Sequence, residues 1–112
     1  MAADVLFVGV AVTDFDEAVN WYERVLGKPA DVVAVPDQEV MWQVTDGAWL
    51  YAVVDPERSG HSLVAIAVDD LDRQLADLAS QSIEADQVED VGGGRKATFT
   101  DPAGNSVAFL QV

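Results

Sequence analysis

Few side chains in this sequence have chemistry to offer. His61 is the only histidine. It could serve as a base or a hydrogen-bond donor. Alone it cannot hold a metal, and it follows Ser59-Gly60 in a connector, where a solvated loop residue is the ordinary reading. Arg95 and Lys96 sit beside the glycine run Gly92–Gly94. They could close over an anionic group, or be plain surface charge. Ser62 and Ser106 do not join a Ser–His–Asp pattern, and no glycine motif that cradles phosphate is present. There is no cysteine, which excludes disulfides and thiolate zinc sites and fits a reducing, cytoplasmic setting.

Twenty acidic residues face six basic ones, a formal net charge of −14. Such a surface is a poor partner for nucleic acid or an anionic membrane, both of which need clustered Lys and Arg. It would attract a cationic ligand, or simply keep the chain soluble. The first residues, MAADVLFVGVAV, lack a basic start, and their apolar run is interrupted at Asp14. They read as a first strand, not a signal peptide or membrane span. At 112 residues, half of them hydrophobic, the expectation is one domain over 1–112.

An internal repeat organises that domain. VAVTDFDEAV from Val10 aligns with IAVDDLDRQL from Ile66, an offset of 56, dividing the chain into repeats 1–56 and 57–112. Each begins with a period-two strand, stops at an Asp and continues at helical spacing. In the first, Asp14 is the N-cap, with Glu17 placed for a capping box. Phe15, Ala18, Val19, Tyr22, Val25 and Leu26 form the apolar stripe, and Gly27 and Pro29 close the helix. In the second, Asp70 caps a stripe of Leu71, Leu75 and Leu78. Strands are expected at 30–35, 39–45 and 49–54, then at 84–88, 95–100 and 106–112. Turns fall at Pro36-Asp37, Asp46-Gly47, Gly92–Gly94 and Asp101-Pro102-Ala103-Gly104-Asn105.

A doubled βαβββ unit carrying D-x-x-x-A-x-x-W-Y-x-x-x-L-G at Asp14–Gly27 and D-P-x-G-N at Asp101–Asn105 resembles the vicinal-oxygen-chelate superfamily. That family includes glyoxalase I, extradiol dioxygenases and the bleomycin- and fosfomycin-resistance proteins. The resemblance implies an α+β fold in which two βαβββ repeats form a curved mixed-sheet cup with helices outside. Its metal enzymes take four ligands from the first and last strands of both units. Counted from the capping Asp and from the D-P-x-G-N turn, with the offset of 56, those positions are Phe7, Ala52, Leu63 and Ala108. None offers a lone pair, so no metal and no cofactor are expected.

Strand parity extends the cup to Phe7, Gly9, Ala11, Trp42, Leu50, Ala52, Val54, Leu63, Ala65, Ala67, Thr98, Ser106, Ala108 and Leu110, with His61 at its rim. Small residues beneath an aromatic could leave room for a flat ligand, or the cup could be packed solid. Tyr22, Phe99 and Phe109 read as core, and Trp21 and Trp49 as core or interface anchors. The family also implies a homodimer. Three functions stay open: a metal-independent binder of a small apolar or cationic molecule such as an antibiotic, a glyoxalase- or dioxygenase-like enzyme, and a dimeric module without a ligand.

Overall fold

Asp14 and Asp70 each stop a strand and start a helix. Their carboxylates accept from the backbone N–H three residues on, at Glu17 (3.0 Å) and Arg73 (3.1 Å), removing one unpaired donor from each helix start. Gly27 ends the first helix at φ 77, a left-handed conformation that costs a glycine little. The computed structural model describes all 112 residues. In chain order the elements are β1 (Leu6–Val12), α1 (Phe15–Leu26), β2 (Val32–Val35), β3 (Glu39–Thr45), β4 (Ala48–Val54), β5 (Leu63–Ala67), α2 (Leu71–Ala79), β6 (Gln87–Val91), β7 (Gly94–Thr100) and β8 (Ser106–Gln111). No helix is long and apolar enough to cross a membrane.

The sixth strand begins three residues later than expected. Ile83 and Ala85 pack against the core, and pairing with β7 opens only when Asp86 donates to Thr98 O. Hydrophobicity there reflects packing of a loop, not strand alternation.

The strands form two separate sheets, ordered β1-β4-β3-β2 and β5-β8-β7-β6. In each, the first strand runs parallel to the fourth and the other pairings are antiparallel. β1 and β5 therefore each keep one unpaired edge. The sheets do not close on each other.

One core serves both units. Val10, Val12, Val40, Trp42, Leu50 and Ala52 of the first sheet share a buried cluster with Ala97, Phe99, Val107 and Phe109 of the second and with Ala18, Tyr22, Val25, Leu71 and Leu78 of the helices. The helices meet where Arg24 donates to Gln81 O and Gln74 to Val25 O. Trp42 is wholly buried because its indole N–H reaches Lys28 O at 3.1 Å.

A polar stitch crosses this core. The buried Asp101 carboxylate has no cation beside it and is held by four donors. Oδ1 accepts from Ala103 N (2.9 Å) and Asn105 N (2.8 Å). Oδ2 accepts from the Tyr22 hydroxyl (2.6 Å) and Asn105 Nδ2 (2.9 Å). Asn105 also donates to Ala11 O (2.8 Å), and its Oδ1 accepts from Gly60 N and Ser62 N at 3.0 Å each. No buried side-chain polar atom lacks a partner.

Burial first, then the hydrogen bond to Asp101 and its negative charge, hold the Tyr22 phenol protonated far above its ordinary pKa of 10.0. The unfolded chain can release this proton above about pH 10 and the folded chain cannot. The stability gained from keeping Tyr22 neutral is therefore fully present below pH 10 and is lost as pH rises beyond it. Tyr22→Phe is expected to cost about 1–3 kcal/mol at pH 7, because it leaves a buried carboxylate one donor short. Denaturant melts between pH 7 and 11 should then show a shallower alkaline decline for the variant than for the wild type. Parallel declines would remove Tyr22 as the source.

Candidate ligand-binding site

Each sheet has a helix-facing side and an open side, and register assigns every residue to one of them. In the first sheet Val10 pairs with Ala52, Val40 with Ala52, and Trp42 with Leu50. All of these belong to the buried cluster, and Val54 packs against it. Trp42, Leu50, Ala52 and Val54 therefore point at the helices, not into a cup. The open side carries Phe7 opposite Trp49, Gly9 opposite Tyr51 and Ala11 opposite Val53, with Gln43, Met41 and Glu39 next across β3.

In the second sheet the expected residues do lie on the open side. Leu63 pairs with Ser106, Ala65 with Ala108 and Ala67 with Leu110; Ala108 then pairs with Thr98 and Leu110 with Lys96. His61 precedes β5 as an exposed loop residue without a hydrogen-bond partner.

The misplacement in the first sheet has a specific cause. Phe7 and Leu63 are 56 positions apart and equivalent, Phe7 pairing with Trp49 and Leu63 with Ser106. The next rows are Gly9–Tyr51 and Ala65–Ala108, so Tyr51 and Ala108, 57 apart, are equivalent. One extra residue enters the second unit between its helix and its third strand. A slip of one turns every side chain to the other face. One signal for this was available: Glu39 and Gln43 alternate with Val40, Trp42 and Val44, which already put Trp42 on the apolar side. β4, AWLYAVV, gives none, being apolar on both sides.

The metal positions implied by the family are therefore Phe7, Tyr51, Leu63 and Ala108. Only the Tyr51 phenol offers a donor atom, and a divalent ion needs three or four. No group of three or more His, Cys, Asp or Glu side chains is placed to hold an ion. The residues do not fit the family's metal.

The two open sides differ in chemistry. The first is aromatic: the Phe7 and Trp49 rings stack with centroids 6.3 Å apart, and the Tyr51 ring lies over Gly9. The second is small and polar. It carries Ala65, Ala67 and Ala108, the unpartnered hydroxyls of Thr98 and Ser106, and Lys96. The two adjacent bases have parted. Arg95 turns to the helix side and binds Asp72 at 2.7 Å, while Lys96 lies on the open side without an ion pair. Both open sides leave apolar carbon in water, with Phe7 53 % and Leu63 84 % exposed. The largest cleft, about 600 Å³, lies elsewhere. It runs between the two sheets near the free edges of β1 and β5, from Leu6, Val8, Val44 and Leu50 to Val64, Ile66 and Val68, and its polar residues are Thr45 and Asp69.

Gly9 has ordinary negative φ, so its role is room: a Cβ there would lie 2.6 Å from the Tyr51 hydroxyl oxygen. Gly9→Ala should cost about 1 kcal/mol while Tyr51 is present. In a Tyr51→Ala background the same change should be neutral or stabilising, since alanine restricts the unfolded strand. A double-mutant cycle in urea checks this, and strictly additive effects would contradict the contact.

Comparison with known proteins agrees with this architecture. A family model described as the glyoxalase/bleomycin resistance protein/dioxygenase superfamily matches residues 5–109. A glyoxalase/bleomycin resistance protein from Catenulispora acidiphila DSM 44928 is 38% identical, with a TM-score of 0.90 over 96% of this chain and 97% of that one. TnmS3, an antibiotic binding protein from Streptomyces sp. CB03234, is 26% identical, with a TM-score of 0.77 over 98% and 96%. A lactoylglutathione lyase from Agrobacterium tumefaciens shares the fold at 20% identity, with a TM-score of 0.81 over 99% and 95%. No curated protein matches significantly in sequence. The matched segment takes in both βαβββ units, and the chain belongs to the glyoxalase/bleomycin resistance protein/dioxygenase superfamily.

Proposed function

We propose that this protein is a metal-independent binder of a small, mainly apolar molecule, held in a cup that two copies of the chain build together. The observation that carries the reading is the quartet Phe7, Tyr51, Leu63 and Ala108, which has one donor atom where a metal enzyme of the family needs several. Without a metal there is no Lewis acid to polarise a substrate oxygen. What remains is an aromatic wall in one unit and a small-residue floor in the other, a pairing suited to a flat body. The likeness to an antibiotic binding protein supports an antibiotic-like ligand. The charge of −14 also favours cations at a distance.

Dimerisation is supported by two free strand edges, two exposed apolar faces and the cleft between them. That region carries little charge on an otherwise acidic chain, so it is where a second copy can approach without repulsion. A cytoplasmic setting agrees with the absence of cysteine.

The test has three readouts on the purified protein. Elemental analysis is expected to find no stoichiometric Zn, Ni, Fe or Mn. Sedimentation should give twice the 12.0 kDa chain mass. A thermal-shift and calorimetric screen of bleomycin-like cations and planar aromatics should yield a saturable ligand. A stoichiometric metal would restore the lyase or dioxygenase reading, and a monomer without a ligand would overturn this one.

A further inference from the structure

The two open sides together specify a ligand more narrowly than "apolar". Rings and a thioether line one side: Phe7, Trp49, Tyr51 and Met41 share the face of the first sheet opposite the helices. Ammonium and hydroxyl donors occur on the other. Lys96 and Thr98 are there, and the reason is visible in β7. Ala97 and Phe99 are buried against the helices, so alternation sends Lys96 and Thr98 outward, beside Leu110 and Ala108.

Lys96 is not occupied by the protein itself. Of the six bases, Lys28, Arg58 and Arg95 form ion pairs; of the three that do not, Arg24 donates to Gln81 O, Arg73 is exposed on the second helix, and Lys96 alone lies on an open side. Its cross-strand neighbour is Glu89, whose carboxylate instead accepts from the Gln87 amide at 3.2 Å. In a chain with twenty acids, a half-buried lysine left without an ion pair on this small, polar face is available to a ligand.

We infer that the ligand is a planar aromatic bearing an acidic oxygen group, its ring against Trp49 and Tyr51 of one unit and its anion on Lys96 of the other. This inference rests on the proposed cup. It also separates two ranges of electrostatics. The net charge acts on a ligand at a distance, over a Debye length of about 10 Å at 0.1 M salt. The contact is decided by the group in the cup, where partial desolvation strengthens a direct ammonium–oxyanion bond. The unpartnered hydroxyl of Thr98, two residues along the same strand face, would add to the anion's hydrogen bonds.

Three probes with one ring system test it: 2-naphthoate, neutral 2-naphthalenemethanol and 2-naphthylmethylammonium, each titrated calorimetrically into the full chain. The naphthoate should bind about tenfold more tightly than the ammonium. Lys96→Met, which breaks no ion pair or side-chain hydrogen bond within the protein, should remove that preference while leaving the alcohol unchanged. Tyr51→Leu should weaken all three. An ammonium bound as tightly as the acid, or a preference that survives Lys96→Met, would overturn the inference while leaving the cup intact. Failure of all three probes to bind would overturn the proposed cup as well.

Discussion

The placement of the two units depends on one buried negative charge. Asp101 is 3 % exposed and has no cation near it. An unpaired carboxylate in such a place costs several kcal/mol, so its four donors are a condition of folding. Three of them lie within the turn itself, at Ala103 and at the backbone and side chain of Asn105. The fourth is the Tyr22 hydroxyl of the first helix. Asn105 passes the constraint on, binding Ala11 at the end of the first strand and the connector at Gly60 and Ser62. Satisfying one carboxylate thus pins the ends of β1, α1, β8 and the connector together.

From that stitch the rest of the architecture follows. The helices sit on a common core, and each sheet is left with a bare face and a bare edge. Within a single chain these surfaces stay largely bare, with Phe7 and Leu63 exposed although Ala11 and Ala108 are buried by their neighbours. The helix-facing sides meet in a shared apolar core at their centres, with Arg95 at the margin bound to Asp72. The open sides have diverged instead. At equivalent positions one unit has Gly9 and Tyr51 where the other has Ala65 and Ala108. The glycine admits the ring that lies over it, so the first unit presents a fixed aromatic plate. The second presents the exposed methyl groups of Ala65 and Ala67 beside a buried Ala108. A duplicated scaffold has become two unlike walls.

Much of the fold was legible in the residues. Asp14, Asp70, Gly27 and the apolar stripes mark both helices because capping and helical periodicity are local effects. β1, β5, β7 and β8 alternate clearly enough to assign their faces. β4 does not, because a strand apolar on both sides has no parity to read. The repeat offset of 56 puts Ala52 opposite Ala108, and the parity that follows from it puts Trp42 in the cup, although its polar neighbours Glu39 and Gln43 point the other way. Lys96 is readable from the sequence as a contact for an anionic group and Trp49 as core or an anchor, but their place on the open sides, like that of Tyr51 and Met41, depends on register with strands far apart in the chain.

Residue types and local spacing are enough to read the doubled βαβββ unit, the helix boundaries, the lack of thiolate chemistry and the scarcity of metal donors. Each of these depends on residue type or on spacing within one element, where physical interactions are short-ranged. Only the tertiary structure decided that Tyr51, not Ala52, answers Ala108, that Arg95 and Lys96 part company, and that the sheets stand open. These are matters of register and of partners far apart in the chain. A single added residue reverses a strand's faces without altering its composition, so only the pairing itself shows which side chains meet a ligand.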